Sequence, residues 1–269
     1  MNRFLRHFAA CDNAVLPGRR LPFRVGAATV GWVLPEFARL LADFTAIAAS
    51  PTGVTLTDAG DLQSIARALA ERGVTRWRNE AFDVRAEPEG PVLALLDRGA
   101  LPMFGVRAEG VHLDGLVHLP DGPHIWIARR AATKTLDPGK LDHITAGGIP
   151  AGLSPAETLV KEAAEEAAIP VALAAAARPV GTLAYAMERT EGLRRDLLHC
   201  YELDLPADFT PAAADGEVAG FELWPLPRAF AAVRDTDDFK FNVNLVLIRL
   251  FQRYGLFTPE QAAQLPPAM

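Results

Sequence analysis

Apolar positions along the first hundred residues recur at two periods. In residues 35–49, PEFARLLADFTAIAA, the positions Phe37, Leu40, Leu41, Phe44 and Ile47 are spaced as on one face of a helix. A second helix is predicted after Asp61, where Leu62, Ile65, Ala66 and Leu69 share a face and Gly73 supplies a stop. Short apolar runs such as FRVG and PVLALLD read as strands between and after these helices. From about residue 107 the texture changes. GVHLDGLVHL, HIWIARR, GTLAYAME and LLHCYELDL alternate or run apolar over strand lengths and are bounded by Gly, Pro or Asp. One helix interrupts them at about 155–168, and NVNLVLIRLFQRYG at 242–255 reads as a buried closing helix ended by Gly255. Strands around a central helix, with another helix behind, predict a mixed sheet between helices, preceded by a small α+β domain.

The segment AGGIPAGLSPAETLVKEAAEEAAIP, residues 146–170, concentrates the candidate chemistry. Ser154 followed by Glu157 is a capping-box pattern, Pro155 suits a first turn, and Pro170 disfavours a helical Ile169. At 3.6 residues per turn Ala156, Leu159, Val160, Ala163, Ala164 and Ala167 form the expected buried arc. Glu162, Glu165 and Glu166 fall together on another arc. Three clustered carboxylates repel one another, and a hard divalent cation such as Mg²⁺, with Mn²⁺ as a substitute, is the natural counter-charge. Gly147, Gly148 and Gly152 bring open backbone to the helix N-terminus, where free N–H groups can meet phosphate oxygens.

Composition narrows the partners. Of 269 residues half are apolar, and the net charge is -6, which argues against a dedicated nucleic-acid binder. Cys11 and Cys200 are too few and too far apart for a disulfide framework or zinc site. No run reaches membrane-spanning length and the N-terminus carries no export signal, so a cytoplasmic protein with no membrane partner is expected. His112, His118, His124 and His143 lack metal-ligand spacing.

The glycine–glutamate segment resembles the Nudix box, G-x5-E-x7-R-E-U-x-E-E-x-G-U, U being a bulky aliphatic residue. Gly147 matches the first glycine, and Glu162, Glu165 and Glu166 match the core glutamates. Leu153, Lys161 and Ala168 depart from the pattern, standing for Glu, Arg and Gly. WRNEAFDV, DRGALPMFGV and GVHLDGLV, with FKFNVNLVLIRLFQRYG near the end, are similar to Nudix proteins related to thiamine pyrophosphokinase. The resemblance implies a Nudix α/β/α sandwich over residues 106–257, after an α+β domain at 1–105 and before a tail at 258–269. It implies Mg²⁺-dependent hydrolysis of thiamine diphosphate or its oxidised analogues to the monophosphate. ADP-ribose or another nucleoside diphosphate, or diphosphate binding without cleavage, are the alternatives. Glu162, Glu165 and Glu166 are then the metal ligands, and Lys161 steadies a box glutamate. Glu217 is the candidate extra carboxylate, Gly147, Gly148, Arg129 and Arg130 are the candidate phosphate contacts, and Lys134 is a further cation at the same strand end. The loops holding Trp126, Tyr185 and Phe221 are expected to wall a heterocyclic head group.

Overall fold

A computed structural model describes residues 2–213 and 216–267. After a first helix, α1 (Leu5–Cys11), the chain forms β1 (Leu21–Val25), β2 (Ala28–Val33), α2 (Pro35–Leu41), β3 (Ile47–Ser50), β4 (Gly53–Leu56) and α3 (Leu62–Glu71). The hairpin β5 (Ala81–Val84) and β6 (Ala94–Asp97) and the short α4 (Leu101–Phe104) follow. The four-stranded sheet has the order β2-β1-β4-β3. Helix α3 matches its predicted face, with Leu62, Ile65, Ala66 and Leu69 buried. The helix predicted over 35–49 instead splits. Main-chain turn bonds from Phe44 to Leu41 and from Ile47 to Phe44 close α2, and β-branched Ile47 pairs with Leu56 as a strand. The misleading periodicity has a simple origin: Phe37, Leu41 and Ile47 all serve the same core, from two kinds of element.

The second half comprises β7 (Arg107–Leu119), β8 (Gly122–Arg130), β9 (Leu141–His143), β10 (Thr145–Gly148), α5 (Pro155–Ala167), α6 (Val171–Ala174), β11 (Arg178–Arg189), β12 (Gly192–Asp204), β13 (Val218–Pro225), α7 (Leu226–Asp235), α8 (Val243–Arg253) and α9 (Pro259–Gln264). Its mixed sheet has the order β11-β12-β7-β8-β13, with β12 and β7 parallel. Strand β10 pairs with the first half of β7 and β9 with the far end of β8, so the two short strands lie where the long ones part. On one face α5 packs with Val111, Leu113, Val117 and Leu203. On the other, α7 and α8 pack with Leu116, Ile125, Ile127 and Leu198. This is an α/β/α sandwich.

The packing divides the chain differently from the expected boundaries at 105 and 257. Phe4, Phe8 and Cys11 of the N-terminal segment belong to the core under α8, as does Leu265 beyond α9. Helix α9 is fastened by a capping box from Thr258, and the Asn2 side chain donates to the Gln261 carbonyl at 3.0 Å. The segment expected as a tail is thus folded through residue 267, and residues 268 and 269 lie outside the described residues. Both cysteines are free and buried. Among the described residues no helix is long and apolar enough to cross a membrane.

Candidate functional site

Helix α5 begins and ends as local chemistry dictates. The Ser154 hydroxyl accepts from the Glu157 N–H at 3.2 Å, and the Glu157 carboxylate accepts from the Ser154 N–H at 2.9 Å. At the other end Ala168 turns left-handed with φ 53° and Ile169 drops into the core. The buried arc differs from the expected one: Leu159, Ala163 and Ala167 are buried, but so are Thr158 and Glu166, and Ala156 is exposed.

The three glutamates therefore do not share one environment. Glu165 is about half exposed, Glu162 largely covered, and Glu166 only 7% exposed. Lys161 Nζ reaches Glu165 at 2.6 Å and Glu162 at 3.1 Å. The Glu166 carboxylate accepts from the Ala146 N–H at 2.9 Å. Burial pushes the Glu166 carboxyl up to about 8; the Ala146 N–H opposes this, while the charges of Asp142 and Glu162 add to it. Burial also raises the Glu162 carboxyl. Gly147 leaves room for this carboxylate: a Cβ on it would sit 2.5 Å from the Glu162 carboxyl carbon and push the side chain away.

Among the described residues no three acidic, histidine or cysteine side chains converge on one point as they stand. Lys161 occupies the position between Glu162 and Glu165. The donor set nevertheless fits a hard cation. Two carboxylates are held below the surface at one helix turn's spacing, with Glu165 beside them on a movable stem, and oxygen is the ligand type that Mg²⁺ and Mn²⁺ take.

The cations predicted beside the glutamates separate. Arg130 is largely covered; it donates to Asp142 at 2.7 Å and to the carbonyls of Leu136 and Asp137, tying down the loop after β8. Arg129, its neighbour on the strand, projects to the opposite face. There it donates to the Gly139 carbonyl and lies 3.9 Å from Glu222, in a cleft with Trp224 and Arg228. That placement corrects the expected role of Arg129, since alternate strand residues face opposite sides of the sheet. Lys134 contacts Glu217, and its charge is felt at Glu166. Gly148 faces away from Glu162, toward the N-terminal domain.

The aromatic wall is also corrected. Tyr185 is buried in the core beneath α8 and its hydroxyl is bound to Asp196, whereas Trp126 and Phe221 pack with the core beneath α5. The sequence reading missed a buried polar group on the α8 side. His112 pairs in register with Ala146, whose N–H holds Glu166. The His112 ring meets that of His143 edge-on at 5.0 Å, and His143 lies 2.8 Å from Asp114 without hydrogen-bond alignment. Asp142 and Lys240 are 3.6 Å apart. Burial opposes the charge of Asp142, but Lys240, His143 and Arg130 hold its carboxyl well below the usual range. Burial lowers Lys240 and pushes His112 well below its ordinary value. Asn242 and Asn244 are buried, and their side-chain oxygens accept no hydrogen bond among the described residues. The signal available in the sequence was a lysine and two asparagines set among aromatic and aliphatic residues in FKFNVNL.

The fold is a mixed-sheet sandwich whose glycine-led helix carries two sunken carboxylates and one exposed one, and its class is that of the hydrolases it matches. Residues 112–244 match the NUDIX domain, and residues 3–108 match a domain of unknown function, DUF4743. Nudix hydrolase 24, chloroplastic, of Arabidopsis thaliana is 36% identical, the match covering 97% of this chain and 75% of that protein. Nudix hydrolase 20, chloroplastic, of the same plant is 33% identical over 92% of this chain and 71% of that protein. The crystal structure of DR0079 from Deinococcus radiodurans is similar with TM-score 0.49 and 22% identity, over 63% of this chain and 98% of that one. The chain belongs to the Nudix hydrolases, enzymes that in general use divalent ions such as Mg²⁺ or Mn²⁺. The expected cytoplasmic location is overturned by the same findings, because both plant relatives are named chloroplastic.

Proposed function

We propose that this Nudix hydrolase cleaves the diphosphate of thiamine diphosphate or its oxidised analogues, leaving the monophosphate. The observation that carries the reaction is the sunken Glu162–Glu166 pair beside Gly147, where burial raises both carboxyls and a divalent cation would relieve them. Glu162, Glu165 and Glu166 would hold Mg²⁺ or Mn²⁺; when bound, the ion neutralises phosphoryl charge and acidifies water. The Ala146 N–H keeps the Glu166 carboxylate in place. Lys161 steadies Glu162 and Glu165 from the exposed side of the helix. Glu217, held by Lys134, or one of the box glutamates accepts the proton of the attacking water at its carboxylate. Gly147 leaves room for the Glu162 carboxylate against β10, and Arg130 acts indirectly by fixing Asp142 and the loop.

The head group is supported by resemblance: WRNEAFDV, DRGALPMFGV and FKFNVNLVLIRLFQRYG are similar to Nudix proteins related to thiamine pyrophosphokinase. Product identification decides the reading. With Mg²⁺ present, thiamine diphosphate and its oxidised forms are expected to yield the monophosphate faster than ADP-ribose, NADH or nucleoside diphosphates yield their products. Faster turnover of any of those three classes overturns the substrate. Tight binding with no phosphate release at any Mg²⁺ concentration overturns the enzyme reading.

A further inference from the structure

The N-terminal domain reaches the glycine-rich strand of the box. The β5 carbonyl of Ala81 accepts from the Ala151 N–H at 2.7 Å. The Phe82 ring presses on Gly148 so closely that a Cβ there would lie 2.6 Å from its tip, and the Arg98 guanidinium carbon would lie 3.5 Å from the same point. Gly148 pairs with Gly110, so neither strand places a side chain over this end of the sheet. Arg98 fills part of that space and stays about half exposed. It also stands 5.8 Å from the Phe82 ring centre and reaches Glu80 at 2.9 Å.

The placement is built, not incidental to a loose loop. Asp97, 1% exposed, accepts from the main-chain N–H groups of Arg78, Glu80 and Gly99 at 3.0, 3.1 and 2.9 Å. The Arg98 N–H donates to the Glu80 carbonyl at 2.8 Å. A buried carboxylate thus locks the residues on both sides of the Glu80–Arg98 pair. The charge of Glu80 is in turn felt at Glu162. An arginine fixed at its base, half exposed at its tip and held at the edge of the glycine strand by one exposed-side carboxylate has the form of an anion contact.

We propose that Arg98, supplied by the N-terminal domain, contacts a phosphate of the substrate in the Nudix-domain site, with Glu80 as its positioning residue. The proposal rests on the site reading above.

The test uses the full chain, with Arg98→Ala, Arg98→Lys and Glu80→Gln. Two quantities are read: kcat and KM with Mg²⁺ and the best diphosphate substrate, and equilibrium binding of the non-hydrolysable imidodiphosphate by calorimetry. Arg98→Ala is expected to weaken imidodiphosphate binding and raise KM by about tenfold or more, with a smaller change in kcat. Arg98→Lys should recover part of the loss, since it keeps the charge without the two-pronged donor. Glu80→Gln should raise KM less than Arg98→Ala does. Because the Arg98 side chain is half exposed, the thermal midpoint of each variant should stay near that of the parent, which separates contact from folding. Unchanged binding and KM in Arg98→Ala overturn the contact. A parent enzyme that turns over no diphosphate overturns the site reading instead, and imidodiphosphate binding then still decides Arg98.

Discussion

Helices α5 and α8 cover opposite faces of one sheet and carry their information differently. Of the thirteen residues of α5 five are buried, and its charged positions follow the helical repeat. In α8 eight of eleven residues are buried, in a nearly continuous apolar run. A half-exposed helix displays its chemistry through spacing, because residues three and four apart meet on its own surface. A helix buried almost all round keeps its few polar residues for partners on other elements. Lys240 before α8 meets Asp142 of β9, and Asn242 donates to Tyr185 of β11. Function drawn from α5 is local, and that drawn from the start of α8 is assembled.

The strongest way to break this contrast is Lys240→Met. Removing the cation leaves Asp142 buried with Arg130 as its remaining charge partner, and a cost of about 3–5 kcal/mol in unfolding free energy is expected by denaturant titration. A loss below 1 kcal/mol would mean the pair is not closed to water. Glu166→Gln should lower kcat by on the order of 10²-fold. The same change should leave the chelator-treated protein as stable as the parent or more so, since burial already disfavours the charged carboxylate and an amide oxygen can still accept from the Ala146 N–H. Full activity in this variant removes Glu166 from the site.

Ser154→Ala should cost about 1 kcal/mol, by loss of the hydroxyl that receives the Glu157 N–H. An unchanged melting temperature would show that Pro155 alone suffices to start α5. Acidification sharpens the α8 side. The folded pKa of His112 lies well below its ordinary value of 6.5, so below that pH the unfolded chain takes up a proton that the folded chain refuses. Stability should therefore fall as pH drops through 6.5, and His112→Gln should show a shallower fall than the parent between pH 7 and 5.5. Equal slopes would place His112 in contact with water. The smallest effect is expected at Lys161, whose exposed pairs are worth less than about 1 kcal/mol. Lys161→Arg should keep activity and Lys161→Ala should lose some of it; the reverse order removes its steadying role.

Much of the fold was legible because its signals are short-ranged. The limits of α5 follow from Ser154, Glu157, Pro155 and Pro170, and the long strands from their alternation and bounding turns. The box glutamates were visible for the same reason. The failures were failures of range or of side. Residues 42–47 kept a helical spacing of apolar positions although Ile47 pairs with a strand, since both geometries deliver side chains to one core.

By itself the sequence determined where α5 starts and stops, which residue types line it, and that glycine precedes it, because these depend on contacts within a few residues. Tertiary structure decided which glutamate sinks and which stays in water, since Glu166 is covered only when Ala146 of β10 lies against it. It decided that Arg130 turns inward while Arg129 turns to another cleft, a choice that alternation leaves symmetric until the sheet has two different faces. It also decided that α1 and Leu265 join one core, and that Phe82 and Arg98 come to rest on Gly148. Those contacts join residues dozens to hundreds apart, and only strand register and packing bring them together.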